Sequence, residues 1–254
     1  MKSLMASDLF KLKKGKYLYG CTIGSVLLRI FIIIIMYSVL QMDDSSSASG
    51  YEILSKAIGS GSALLVSIAI SIFVGAEFGF GTIKNSATKA FSRTRIYMSK
   101  LLVSFIATIC ILLITAVVYV LLGTIVFGWG TPPDGYILDA IAKMGVQIYL
   151  NLALSSMFVM VAILIRQSGG SIAINICILQ FAGLVAQICS LAFDKLFHLT
   201  IEFSKYLPST IISDTVDVEK LTSELTIRGL VAGAVIIVLT TAFGIFSLQK
   251  RDIK

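Results

Sequence analysis

Residues 77–100 read EFGFGTIKNSATKAFSRTRIYMSK, a basic stretch set between two long apolar runs, 57–76 before it and 101–127 after it. Five of its residues are cationic, Lys84, Lys89, Arg93, Arg95 and Lys100, against the single acid Glu77. Lys and Arg concentrate in cytoplasmic loops, so the stretch belongs on the cytoplasmic side of a bilayer. A bilayer core about 30 Å thick takes roughly 20 apolar residues per helix. Six runs are long enough: 20–40, 57–76, 101–127, 144–165, 171–193 and 229–248. They are too long, and too poor in strict alternation, for barrel strands. With 57% hydrophobic and 14% charged residues and a mean hydropathy of +0.94, the chain lies outside the averages of soluble domains. The expected fold class is an all-α integral membrane protein with six transmembrane helices.

Charge outside the runs sets the orientation. With the N-terminus inside, the inner segments 1–19, 77–100, 166–170 and 249–254 hold 14 of the Lys and Arg residues, and the outer loops hold 6. That bias predicts both termini on the cytoplasmic side of the cytoplasmic membrane. Eleven of the 14 acids fall outside. The net charge of +7 is therefore distributed by topology and does not point to nucleic acid; a basic inner rim instead attracts anionic lipid headgroups. The first apolar run is too long for a signal-peptide core, so it reads as its own insertion signal. Residues 1–19 read as a short interfacial helix, with Met5, Leu9 and Leu12 near one face and Ser7, Lys11 and Lys14 near the other.

The stretch 77–100 also carries uncharged positions that a simple headgroup anchor does not require. Glu77, Phe78, Gly81, Thr82, Ile83, Lys84 and Asn85, then Ser92-Arg93 and the distal Ser99-Lys100, follow the pattern E-[FY]-x-x-G-T-[IL]-[KR]-N, S-R, S-K. In this the chain resembles the ABC-2 type permeases, the membrane subunits of a class of ATP-driven exporters. The resemblance implies an ABC-2 (type V exporter-like) transmembrane domain over residues 1–254. It implies a coupling helix within 82–90 that docks on a separate ABC ATPase, and re-entrant helices in the outer segment 194–228. It also implies a path formed with a second permease subunit, the same chain or a different one. ATP and Mg would be bound by the ATPase. By size and general likeness the chain resembles the small permeases of bacteriocin, lantibiotic and bacitracin resistance, whose substrates are antimicrobial or hydrophobic peptides. Export of another substrate, such as a lipid, polysaccharide or drug, and a non-transporting role as sensor or assembly partner stay open at this point.

Several absences and oddities bear on that reading. A membrane hydrolase needs a nucleophile with a base, or several ligands on a metal. The single histidine, His198, and one carboxylate near the inner face, Glu77, do not supply them. No G-x-x-x-x-G-K-[ST] phosphate loop occurs, so the chain reads as a non-catalytic subunit. Ser168-Gly169-Gly170 reads as the small residues of a turn between two spans. The four cysteines, 21, 110, 177 and 189, all fall inside apolar runs and are expected to pack as small hydrophobes. Glycine pairs Gly20/Gly24, Gly75/Gly79 and Gly229/Gly233 have the spacing that lets helices approach closely in lipid. Arg29 lies about nine residues into the first run, where a lipid-facing Arg is costly. It either lines a translocation path or subunit interface, or snorkels to the inner interface. Glu77 is expected to accept backbone hydrogen bonds or to pair with Arg93 or Lys84.

Overall fold

A computed structural model describes residues 2–42, 49–59, 61–80, 92–197, 202–218 and 220–250, and no strand occurs among them. The helices are α1 (Lys2–Lys14), α2 (Lys16–Met42), α3 (Gly50–Ser55), α4 (Ser62–Gly79), α5 (Arg93–Phe127), α6 (Tyr136–Ile165), α7 (Ser168–Phe197), α8 (Pro208–Asp217) and α9 (Ser223–Lys250), with a 3-10 turn at Phe203–Tyr206. Of these, α2, α4, α5, α6, α7 and α9 are long and apolar enough to cross a membrane. This is the pattern of a multi-pass membrane protein.

The spans begin and end where backbone chemistry allows. Helix α5 stops at Gly128, whose φ of 73° is open to glycine at no steric cost, and α6 starts after Gly135 at φ 81°. Helix α6 ends on Arg166, itself left-handed at φ 59°, and only residues 166–167 separate it from α7. Ser168-Gly169-Gly170 is therefore the first turn of α7 and not a loop. Helix α5 has 35 residues, or about 52 Å at 1.5 Å per residue, against a hydrocarbon core of about 30 Å. That excess leaves room for the basic Arg93–Lys100 end beyond the core, and a third of the basic connector, residues 93–100 of 77–100, is helical extension of the span. Several hydroxyls within the spans bond back to their own helices, Ser25 to the Cys21 carbonyl and Thr115 to that of Ile111, which satisfies them where water is absent.

Helices α4 and α6 form the centre. In the most apolar window of each, 61% of residues are buried, against 17% in α2 and α9 and 6% in α7. Helix α6 packs along α9 and α4, and α4 along α7. The glycine spacings divide on inspection. Gly75 lies so close to α7 that a Cβ there would stand 2.6 Å from Ser168 Cα, whereas Gly79 has open space. Gly233 seats Tyr149 and Gly244 seats Tyr97, while Gly20 touches nothing. Cys21 is buried, but Cys110, Cys177 and Cys189 are exposed on the outside of the bundle. Only Cys21 therefore packs in the interior of the bundle, because a span presents both a core face and a surface face, and hydropathy alone does not tell them apart.

At the end of the bundle opposite Glu77, the fold departs furthest from the run boundaries. Helix α6 begins at Tyr136, not 144. Tyr136, Asp139, Lys143 and Gln147 recur at helical spacing and hold two short helices on the bundle. Tyr136 Oη bonds Ser55 Oγ at 3.3 Å, and Gln147 Nε2 donates to the Ser55 carbonyl and to Thr215 Oγ1. Lys143, counted as a loop cation, is fully buried, donating to the Val218 carbonyl at 2.6 Å and pairing with Asp139 at 3.1 Å. Helix α8 buries Ile211 and Ile212 completely, so it sinks into the bundle and does not merely rest on it.

Candidate functional site

The candidate site is the end of the bundle where the connector leaves α4 and re-enters at α5. It starts with α1. Leu4, Asp8 and Leu12 recur every four residues on one helical stripe, and all three are buried. The stripe packs against α5, and Asp8, only 1% exposed, meets two neighbours there. Ser99 Oγ donates to Asp8 Oδ2 at 2.7 Å and Lys100 Nζ to Asp8 Oδ1 at 2.6 Å. Lys100 Nζ also lies 2.5 Å from Glu77 Oε2 and over the Phe73 ring, 5.2 Å from its centre. Lys11, more exposed, bridges the same carboxylates, 3.3 Å from Glu77 and 3.8 Å from Asp8.

These four charges join three helices, and they balance. A buried ammonium held by two carboxylates and a ring face is compensated, so the cluster rigidifies the junction at little electrostatic cost. Among the described residues Glu77 pairs with Lys11 and Lys100, while Lys84, the expected alternative to Arg93, lies outside them. Arg93 instead donates to the Leu248 and Gln249 carbonyls at 3.2 and 2.7 Å, binding the first turn of α5 to the last turn of α9. A cation there also suits the negative end of the α9 dipole. Gln249 returns a bond to Thr94 at 3.1 Å. Phe78, half-buried, faces the Arg166 guanidinium at 5.9 Å, so the turn between α6 and α7 reaches the same junction.

Of the residues singled out by the motif, Glu77, Phe78, Ser92 and Arg93 are thus the fixed ends of the connector. Gly81, Thr82, Ile83, Lys84 and Asn85, and the expected coupling helix 82–90, lie outside the described residues, as does His198. The motif's distal pair, Ser99 and Lys100, lies in the cluster, and Asp8 and Lys11 join it from outside the motif. The signal for Asp8 was present in its register with Leu4 and Leu12 and in its being the sole acid among the first 19 residues.

Arg29 belongs elsewhere. It is 6% exposed, reaches the Gly59 carbonyl and Ser62 Oγ at 3.4 Å each, and lies 5.1 Å from the Tyr119 ring centre. The guanidinium therefore points to the start of α4, the end opposite Glu77, and does not snorkel toward the connector. It braces α2, α4 and α5. Arg29→Met is expected to insert normally yet lower stability by about 1–2 kcal/mol, the sum of a ring contact and marginal hydrogen bonds. Arg29→Lys should recover less than half of the loss, since it lacks the planar fork. Thermal unfolding of the purified chain checks this, and equal midpoints for all three proteins would remove the bracing role.

Residues 17–254 match the family described as "Protein of unknown function (DUF2705)". The chain belongs to the DUF2705 family. No curated protein matches the sequence. The DUF2705 match takes in Glu77 and Lys100, while Asp8 and Lys11 precede it.

Proposed function

We propose that this chain is the membrane-spanning permease subunit of an ATP-driven exporter of the ABC-2 type. It works with a separate ABC ATPase that binds ATP and Mg, and with a second permease subunit. The substrate is an antimicrobial or otherwise amphipathic peptide cleared from the membrane, and the connector and both termini face the cytoplasm. The observation that carries this reading is that both ends of the connector are fastened to the bundle by buried or multiply bonded charges. Glu77 is tied to α1 and α5, and Arg93 to α9. A segment suspended between two such mounts passes a push on itself to four helices at once, which a force-receiving element requires and a passive linker does not. The six apolar helices and the likeness across residues 77–100 support the same reading.

The test is purification of the full chain from its native membrane, with identification of the bound subunits. An ATPase carrying a phosphate loop is expected. Introducing Ile83→Asp together with Asn85→Asp should abolish its retention while leaving the permease inserted, because both positions fall on the expected docking helix and outside every span. No ATPase with the parent chain, or full retention with the double variant, would overturn the proposal; the first outcome favours a sensor or assembly protein.

A further inference from the structure

At the end opposite the connector, α3, residues 133–135, the start of α6 and the end of α8 line an open cleft of about 740 Å³, the size of a small-molecule or side-chain binding site. We propose that it binds the cationic side chain of a basic peptide. This deepens the exporter reading by naming a substrate class, and rests on that reading only for the direction of transport.

Three features select a cation. The wall carries Tyr51 and Tyr136, packed edge to face with centres 5.0 Å apart and planes at 81°, and the faces of such rings attract ammonium and guanidinium groups. Among the charged residues at the wall, Lys143 is consumed by Asp139 and the Val218 carbonyl. Glu52, Asp134 and Asp217 then outnumber Lys56 and Lys220, and none of the five is in a salt bridge among the described residues. The segments outside the expected spans at this end hold 11 acids against 6 Lys and Arg, so the surrounding potential draws cations toward the mouth.

Gln147, fully buried, holds the Ser55 carbonyl at the cavity wall through its Nε2, yet its Oε1 has no donor among the described residues. The acceptors at the wall itself are the carboxylates and the two tyrosine hydroxyls, and its one buried lysine, Lys143, is already engaged.

The chain carries its own reporter. Trp129 is the single tryptophan, and its carbonyl accepts the Tyr51 N–H at 3.2 Å. The experiment titrates the full chain in nanodiscs of zwitterionic lipid with the soluble tripeptides Lys-Phe-Lys and Glu-Phe-Glu, reading Trp129 fluorescence. Saturable binding of the lysine peptide alone is expected. The double variant Glu52→Lys with Asp217→Lys should weaken it roughly tenfold or more, and Asp194→Lys, exposed on α7 and outside the cavity, should leave it unchanged. Equal binding of both peptides, an unchanged affinity in the double variant, or equal weakening by Asp194→Lys would overturn the proposal. No ATPase is needed, so failure here is distinct from failure of the exporter reading.

Discussion

Lys100→Met will leave the chain markedly less stable. The ammonium it removes is the near-contact partner of both Asp8 and Glu77, and Asp8 is almost fully enclosed. Removing one member of a buried charge set typically costs about 3–5 kcal/mol, because the remaining charges keep their desolvation penalty and lose their compensation. Lys11 cannot replace it; its side chain is 38% exposed and stands 3.8 Å from Asp8. Lys11→Met should accordingly cost less than about 1 kcal/mol. Adding Asp8→Asn to Lys100→Met should recover part of the loss, since it removes the carboxylate left most isolated. Thermal unfolding of the full chain in nanodiscs, followed by circular dichroism, measures all three. A Lys100→Met midpoint equal to that of the parent chain would show that the cluster does not hold the junction.

Gly75→Ala is the second large effect, and Gly79→Ala its control. The two glycines lie one turn apart on α4, Gly75 within it and Gly79 at its last position, so intrinsic helix propensity alone favours alanine at Gly75 at least as much as at Gly79. Only Gly75 faces a backbone: the new methyl would stand 2.6 Å from Ser168 Cα and 2.7 Å from its nitrogen. Backbone atoms cannot step aside as a side chain can, so α4 and α7 must separate by roughly 1 Å to reach ordinary contact. That separation stretches the buried Asn175–Ser71 hydrogen bond, now 2.8 Å, and withdraws the 166–167 turn from Phe78. A loss of about 1–3 kcal/mol is expected for Gly75→Ala, and a change within about 0.5 kcal/mol for Gly79→Ala. Indistinguishable midpoints for the two variants would contradict the close crossing.

Much of this architecture is legible in the residue order, and its limits have physical reasons. Long apolar runs bounded by charges announce membrane helices, because a bilayer demands one length and one solvent preference. The same criterion hid the first two turns of α6. Asp139 and Lys143 look like loop residues until they are seen to neutralise each other and to hold the α8 exit, where Asp139 Oδ1 accepts the Leu221 N–H at 2.9 Å. At the candidate site, Glu77 stood out as the one acid in a basic stretch. Its partner Lys11 and the second carboxylate, Asp8, lie 66 and 69 positions earlier in the chain, and no local pattern reports a contact made across two spans. Arg29 was conspicuous for its cost, but its direction depends on where Gly59 and Ser62 fold.

The span of the Asp8–Lys100 contact, 92 residues, also sets an order of events during synthesis. Asp8 emerges from the ribosome well before Lys100, and sinking α1 onto the bundle in that interval would bury its carboxylate with only the more exposed Lys11 beside it. The amphipathic leader is thus obliged to wait at the headgroup surface until the first turns of α5 have been made. Its docking then follows α2 and α4 and coincides with the start of α5.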